Sequence, residues 1–241
     1  MAYQNSFIQI QQDEKKDYQY EEALKTLRTN IQFSGSNLKV IMLTSTMPDE
    51  GKSETSSQLA ISMAQTEGRV LFIDADIRKS VMVSRMGVAH QVYGLTQYLT
   101  GQKILGEVLN RTSIPNLDII FSGPMAPNPA ELLEEGAFGK LIEWARSEYD
   151  TVIIDTPPIG SVIDGAIIAQ HCDGAILVVE SGAISYHLVQ KAKNQLERTG
   201  CRILGAVLNR VDMATGGYYH RYYGKYSKYA KYYQSEYKAE E

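Results

Sequence analysis

The stretch that decides the fold is residues 39–53, which read KVIMLTSTMPDEGKS. Its first half is an almost unbroken apolar run, typical of a strand buried on both faces of a parallel sheet. Its second half is a polar loop that closes on Gly51, Lys52 and Ser53, and residues 53–67 continue with the apolar spacing of a helix. The stretch therefore predicts a strand, a loop and a helix in that order.

This order is what a phosphate-binding loop (P-loop) requires. Backbone N–H groups and the positive end of the helix surround the phosphates, the Lys52 ammonium reaches the β and γ oxygens, and the Ser53 hydroxyl is a ligand for Mg²⁺. The pattern G-x-x-x-x-G-K-[ST] would place glycine at position 46, where this chain has Thr46. The alternative interpretation is an ordinary helix start with a polar cap.

The rest of the chain repeats the strand and helix alternation. Further apolar runs occupy residues 70–73, 152–154, 175–179 and 205–208, with a weaker run at 117–121. Helix-like spacing occupies residues 18–33, 129–147, 161–171 and 185–199. Because strands alternate with helices, the sequence predicts an α/β fold with a doubly wound, mostly parallel sheet flanked by helices.

Composition divides the chain into three parts and excludes several classes of protein. The net charge of −4 over 241 residues argues against a nucleic-acid-binding protein, and two cysteines are too few for a disulfide framework. Residues 1–17 are predicted to be a polar arm and 18–212 the folded domain. Residues 213–241 are predicted to be a flexible tail, because nine of the sixteen tyrosines lie in its last 24 residues. No apolar run is long enough to span a membrane.

Acidic residues follow two of the predicted strands. Asp74 and Asp76 end the run at 70–73, with Arg78 shortly after, and Asp155 ends the run at 152–154. The carboxyl ends of parallel strands face the ligand crevice, so we expect these acids beside the phosphates. One acid can hold Mg²⁺ while another takes a proton from an attacking hydroxyl. The alternative is a set of solvated loop acids with Arg78 as their counter-charge.

These motifs together predict binding of ATP with Mg²⁺. Asn209 ends the last apolar run on the same side, where it can contact the base or simply cap a turn. The predicted nucleotide-binding residues are Pro48, Asp49, Glu50, Gly51, Lys52, Ser53, Glu54 and Asn209. The predicted metal-binding residues are Ser53, Asp74 and Asp155, and the predicted catalytic residues are Lys52, Asp74 and Asp76.

Over most of residues 20–241 the chain resembles the bacterial tyrosine kinases of the capsular and exopolysaccharide CpsD/CapB type. The resemblance rests on PDEGKS at 48–53, DADIR at 74–78, DTPP at 155–158, SGPMAPNPAELL at 122–133 and the terminal tyrosine cluster. It implies a P-loop kinase domain, with Asp76 as the base and Asp74 nearer the metal. The implied phosphate acceptors are Tyr218, Tyr219, Tyr222, Tyr223, Tyr226, Tyr229, Tyr232, Tyr233 and Tyr237.

The resemblance also implies partners. Glu22, Lys25 and Arg28 are similar to an E-x-x-R-x-x-R oligomerisation motif with lysine at the first arginine, so a homo-oligomer, in the form of a ring, is expected. Their three-residue spacing is equally compatible with charge pairs within one helix. The family further implies a membrane-spanning polysaccharide co-polymerase as activator, control of capsule or exopolysaccharide synthesis, and a cytoplasmic location at the inner face of the membrane.

Two other functions are compatible with the same motifs. Chromosome-partitioning ATPases share this P-loop class, but their loop carries an extra lysine at a position that corresponds to Met47 here. A nucleotide-switched scaffold whose tail is only an interaction segment is the other alternative, because six of the tail tyrosines also follow a helical three-to-four spacing. Labelling of the tail by ATP distinguishes both from a kinase.

Overall fold

A computed structural model describes residues 7–10, 18–35, 37–66, 68–88 and 90–212 of the chain. The chain divides into two compact units, Met1–Asn209 and Arg210–Glu241. All the helices and strands described below belong to the first unit. The tyrosine-rich segment 213–241 lies outside the described residues, and its predicted properties stay predictions.

The described residues form one eight-stranded sheet in the order β1-β4-β5-β3-β6-β2-β7-β8. The strands are β1 (Phe7–Ile8), β2 (Val40–Ser45), β3 (Val70–Asp74), β4 (Leu109–Thr112), β5 (Leu117–Ile120), β6 (Thr151–Asp155), β7 (Gly174–Glu180) and β8 (Ile203–Asn209). The β4–β5 pair is antiparallel, and the other strand pairs are parallel. The predicted mostly parallel α/β sheet is confirmed.

The described helices cover both faces of this sheet. They are α1 (Tyr18–Ser34), α2 (Lys52–Ala64), α3 (Met82–Arg85), α4 (Leu95–Leu99), α5 (Leu105–Val108), α6 (Pro129–Glu134), α7 (Gly136–Glu148), α8 (Asp164–Ala169) and α9 (Tyr186–Arg198). Val40 and Met42 of β2 belong to one apolar core, while the alternate residues Ile41 and Leu43 belong to the other. Side chains of successive strand residues point to opposite faces. The sheet is therefore doubly wound, with a buried core on each face.

Two strands have no counterpart in the sequence analysis. Phe7–Ile8 forms the edge of the sheet and pairs in parallel with β4, and Ile8 is only 1% exposed. A strand of two residues carries no readable periodicity, and three of the four residues of Leu109–Thr112 are polar. Strand β1 is specified by pairing with a distant part of the chain, and β4 also pairs with β5, which follows it after a short loop. A local apolar pattern contains neither pairing.

The helices differ from the predicted ones in two respects. The short helices α3, α4 and α5 have no predicted counterpart. Residues 129–147 read as one helix, but the structure has α6 and α7, separated at Glu135, whose backbone is extended (φ −63°, ψ 145°). The apolar residues before and after Glu135 keep nearly the same helical spacing, so the sequence pattern does not reveal the break. Among the described residues, the structure contains no helix with the length and apolar character that crossing a membrane requires.

The architecture brings three strand ends together. Strands β3, β6 and β2 are neighbours in the sheet, and Asp74 pairs in register with Asp155. The loop after β6 also packs closely on the loop after β2. A Cβ atom at Gly160 would lie 2.2 Å from the carbonyl oxygen of Thr46, so only glycine fits there. The edge formed by the carboxyl ends of these strands is called the catalytic edge below.

Candidate active site

The loop between β2 and α2 has the geometry of an anion-binding loop. Gly51, just before the helix, has a left-handed backbone (φ 81°), and Asp49 shares it (φ 67°). Left-handed residues interspersed in such a loop turn successive N–H groups toward one side, which forms a concave site for an anion. Aspartate is one of the few residue types other than glycine that adopt this conformation readily.

Glu50 braces this loop from inside. Its side chain is 1% exposed, and its carboxylate accepts hydrogen bonds from the backbone N–H of Met47 and, at 3.0 Å, from that of Glu180. The Asn209 side-chain amide donates a hydrogen bond to the Glu50 carbonyl oxygen at 3.0 Å. The loop is thereby attached to the ends of β7 and β8.

The ammonium of Lys52 lies against the acid at the end of β6. The Lys52 Nζ to Asp155 Oδ1 distance is 2.6 Å, and both side chains are almost fully buried. The Ser56 hydroxyl, one turn along α2, donates a hydrogen bond to the same oxygen at 2.9 Å, and Lys52 Nζ lies 3.1 Å from the Ser53 hydroxyl. Lysine, both serines and Asp155 thus share one small volume at the start of α2.

Asp74 is a buried carboxyl group beside Asp155. It is 0% exposed, and burial, followed by the negative charge of Asp155, raises its pKa from 3.8 to about 7. The Ser80 hydroxyl donates a hydrogen bond to it, and the backbone N–H of Ser122 donates another at 3.4 Å. A carboxyl group with a strongly raised pKa, next to a second carboxylate, is typical of functional sites.

Asp76 occupies a more open position on the same loop. Its side chain is half-buried, and Oδ1 accepts hydrogen bonds from the backbone N–H groups of Arg78 at 3.2 Å and Lys79 at 3.0 Å. The Arg78 guanidinium forms a two-fold contact with the fully buried Asp164 of α8, at 2.7 and 2.8 Å. The loop that carries Asp76 is therefore held against the start of α8.

The residues present fit a magnesium ion bound together with phosphates. Asp155 Oδ2 is buried and has no hydrogen-bond partner among the described residues, so one hard oxygen donor of the site is unused. The same part of the chain contains no group of three His, Cys, Asp or Glu side chains arranged to hold a metal ion. Mg²⁺ usually takes only one or two carboxylates and completes its shell with phosphates and water. Asp155, Asp74 and Ser53 are the residues that would hold it.

The structure brings most of the sequence-predicted site residues to the catalytic edge. Those that lie there are Pro48, Asp49, Glu50, Gly51, Lys52, Ser53, Glu54, Asp74, Asp76 and Asp155. Glu54 forms an ion pair with Arg85 of α3. The amide of Asn209 contacts the P-loop backbone, and a base contact for it stays a prediction.

The charged residues of α1 have partners within the chain. Lys25 forms an ion pair with Glu22 at 2.7 Å, as the alternative of pairing within one helix predicts. The Arg28 guanidinium donates hydrogen bonds to the Ser62 carbonyl and hydroxyl oxygens of α2, at 2.8 and 3.1 Å. Arg28 therefore attaches α1 to the P-loop helix, and a role of the three residues between subunits stays a prediction.

Several residues of the site were missed in the sequence analysis. Ser56 repeats the polar face of Ser53 one turn later in α2, and this helical spacing is a signal that could have revealed it. Ser80 and Asp164 carry no motif, because their positions depend on how separate loops pack against β3. The bracing role of Glu50 depends on strand ends that lie about 130 or more residues away.

Comparison with known proteins supports one family. Residues 38–201 match the family model described as an AAA domain. The chain is 46% identical over 204 residues to the tyrosine-protein kinase CpsD of Streptococcus agalactiae, which covers 84% of this chain and 89% of that relative.

Solved structures give the same result. The chimerical protein CapA2B2 has a TM-score of 0.78 at 32% identity, with 86% of this chain and 94% of that chain covered. The kinase domain of the Escherichia coli tyrosine kinase ETK has a TM-score of 0.75 at 31% identity, with 88% and 94% covered. Sequence motifs, sheet order and these likenesses agree, and the chain belongs to the CpsD-type bacterial tyrosine kinases of the P-loop class.

Proposed function

We propose that this chain transfers the γ-phosphoryl group of ATP to tyrosine side chains, among them those of its own C-terminal cluster in a second copy. It acts in the synthesis and export of capsular or exopolysaccharide. The observation that carries this proposal is the cluster of Lys52, Asp155 and Asp74 at the start of α2, with Asp76 on the same edge. The nine tyrosines after residue 217 supply the acceptors.

Each residue has a physical task in the transfer. The P-loop N–H groups and the Lys52 ammonium neutralise charge on the β and γ phosphates, where it is concentrated in the transition state. A tyrosine oxygen forms the new P–O bond, the bond to the β-phosphate oxygen breaks, and ADP leaves. The phenolic proton passes to a carboxylate, because tyrosine has a pKa of about 10 and is protonated at neutral pH.

We assign the proton acceptor to Asp76 and the metal side of the site to Asp74. Asp76 is half-buried, so an incoming phenol can reach it, whereas Asp74 is enclosed next to Asp155. When bound at Asp74, Asp155 and Ser53, Mg²⁺ would supply positive charge that offsets the negative charge of the phosphates. Under this assignment, Asp76→Asn lowers kcat with little change in ATP affinity, while Asp74→Asn weakens ATP binding that depends on Mg²⁺.

The partners are part of the same proposal. A kinase that acts on a second copy of itself meets its substrate in a homo-oligomer, for which the Glu22, Lys25 and Arg28 face of α1 is the proposed contact. A membrane-spanning polysaccharide co-polymerase is the proposed activator and holds the kinase at the cytoplasmic face of the membrane. Nucleic acid has no role in this account, since the chain has a net charge of −4.

Incubation of the purified protein with Mg²⁺ and γ-labelled ATP tests the activity. Label retained on tyrosine, and reduced at least about 100-fold in Lys52→Met, supports the kinase. Lys191→Met, at an exposed lysine of α9, is the matched control and keeps the wild-type labelling. Release of phosphate without tyrosine label would instead support a partition-type ATPase, and nucleotide binding with neither product would support a scaffold.

A further inference from the structure

Two large apolar side chains stand exposed at the catalytic edge. Met125 is 76% exposed and Ile163 is 59% exposed, while the residues that follow them, Ala126 and Asp164, are almost fully buried. Their backbone is thus anchored in the protein while their side chains lie in solvent. Isolated exposed apolar residues are common, but these two are placed on both sides of one functional loop.

The first placement comes from a backbone hydrogen bond. The N–H of Ala126 donates to the carbonyl oxygen of Ile77 at 3.0 Å, which joins the loop after β5 to the loop after β3. Ile77 directly follows Asp76, the proposed proton acceptor. Met125 is therefore attached to one flank of the loop that carries this carboxylate.

The second placement comes from the buried ion pair. Arg78 holds Asp164 through two hydrogen bonds of 2.7 and 2.8 Å, and Ile163 directly precedes Asp164. Ile163 is therefore attached to the opposite flank of the same loop. In the sheet, β3 lies between β5 and β6, which is why the loops that carry Met125 and Ile163 flank the loop of Asp76.

We propose that Met125 and Ile163 form an acceptor lip, which holds the aromatic ring of a substrate tyrosine beside Asp76. Methionine sulfur and aliphatic carbon both pack favourably on aromatic rings. A tyrosine can rest its ring on the lip while its hydroxyl reaches the carboxylate. A serine or threonine side chain has no ring to fill the lip, so the lip selects tyrosine. This inference rests on the proposed function and adds how that site recognises its acceptor.

The occupant of the lip is the tyrosine-rich segment of a second copy. Between the two residues of the lip, the Arg78 guanidinium interacts with three carboxylates, Asp76, Glu131 and Asp164, so negative charge is in excess there. Residues 213–241 contain five basic and three acidic residues, a net charge of +2. A lip that recognises only the ring accepts any of the nine tyrosines, which suits an acceptor with so many of them close together.

The test uses full-length protein and a synthetic acceptor peptide with the sequence of residues 218–229, YYHRYYGKYSKY. In the double variant Met125→Ser and Ile163→Ser we expect the KM for the peptide to rise at least about tenfold. The kcat at saturating peptide and the KM for ATP should stay within about twofold. The conservative pair Met125→Leu and Ile163→Val should restore most of the peptide affinity.

Phe33→Ser is the matched control for removing an exposed apolar side chain. Phe33 is 85% exposed at the end of α1 that leads into the amino end of β2, away from the catalytic edge. It should leave the KM for the peptide unchanged. A peptide with serine in place of every tyrosine should remain unlabelled by the wild-type protein.

Three results would overturn the lip. The first is an unchanged peptide KM in the double variant, and the second is an equal loss of ATP affinity, which would place both residues in the nucleotide site. The third is a fall in oligomer mass with no change in peptide KM, which would make them a subunit contact.

Peptide binding, measured by fluorescence anisotropy without ATP, tests the acceptor lip separately from the proposed kinase activity. Binding that the double variant loses supports the lip even if no phosphoryl transfer occurs, and binding that it keeps refutes it.

Discussion

At the scale of single residues, Asp74 is where function conflicts with stability. A carboxyl group whose pKa rises from 3.8 to about 7 on folding holds its proton more tightly in the folded protein. Its contribution to the free energy of unfolding is therefore fully present at low pH and is lost as the pH rises from about 4 to about 7. A neutral amide at this position avoids that loss.

We therefore expect Asp74→Asn to become more stable relative to the wild type as the pH rises. Urea unfolding without nucleotide or divalent ions, at pH 4.5 and pH 7.5, measures the change. The difference between the two proteins should shift by on the order of a few kcal/mol in favour of the variant. Asp49→Asn, at an exposed carboxylate of the P-loop, is the control for loss of one charge. A difference that does not vary with pH would contradict the burial of Asp74 beside Asp155.

The strand-end residues were the most predictable part of the site. Asp74 and Asp155 each follow an apolar run directly, Lys52 follows the loop after the first run, and parallel pairing then places them at one edge. The backbone of Asp49 was not predictable from its residue type. Its left-handed conformation (φ 67°) is one that glycine adopts most easily.

At the scale of elements, Arg78 couples the loop of Asp76 to α8. Its partner Asp164 is fully buried, so removal of the guanidinium leaves a buried charge without its main counter-charge. Such a loss costs about 3–5 kcal/mol for a fully buried pair, and about 2 kcal/mol is expected here because the Arg78 side chain is 39% exposed.

We expect Arg78→Ala to lower both the free energy of unfolding and, at temperatures where the variant stays folded, kcat for tyrosine phosphorylation. Arg78→Lys keeps the charge but loses the two-fold contact, so its free energy of unfolding and its kcat should lie between those of the wild type and Arg78→Ala. Arg198→Ala, at an exposed arginine of α9, is the control. Thermal unfolding and steady-state kinetics provide the measurements. Full activity in Arg78→Ala would show that the position of Asp76 does not depend on this clamp.

The elements also show which signals a single sequence carries. The five strong apolar runs and the weaker one all form strands. Strands β2, β3 and β6 are buried throughout, as apolar runs predict, whereas the edge strand β8 is only partly covered. Strands β1 and β4 and the break at Glu135 were not predictable in the same way. Strand β1 has only two residues, three of the four residues of β4 are polar, and the α6–α7 break lies within one apolar period.

At the scale of the whole molecule, the charge of residues 213–241 predicts how assembly responds to activity. The net charge of +2 becomes negative after two phosphates, since each adds about −1.5 to −2. We therefore expect unmodified segments to be attracted to the catalytic edge of a neighbouring copy, and phosphorylated segments to be repelled.

We expect the oligomer to lose mass when Mg²⁺ and ATP are added. Mass photometry or light scattering before and after incubation measures this, with Lys52→Met as the control that stays assembled. The loss should become smaller at high salt, because ionic strength screens the attraction in the unmodified oligomer as well as the repulsion. An oligomer of unchanged mass with heavily phosphorylated tyrosines would refute this account of assembly.

The most direct test of the central claim mixes two full-length forms of the chain. One is catalytically intact but has phenylalanine at all nine tail tyrosines, and the other is Lys52→Met with its tyrosines in place. After incubation with Mg²⁺ and ATP, mass spectrometry of the Lys52→Met chain should find phosphotyrosine between Tyr218 and Tyr237, and none when that chain is incubated alone. A tail that stays unmodified in the mixture, while the wild-type chain labels itself, would contradict transfer between copies.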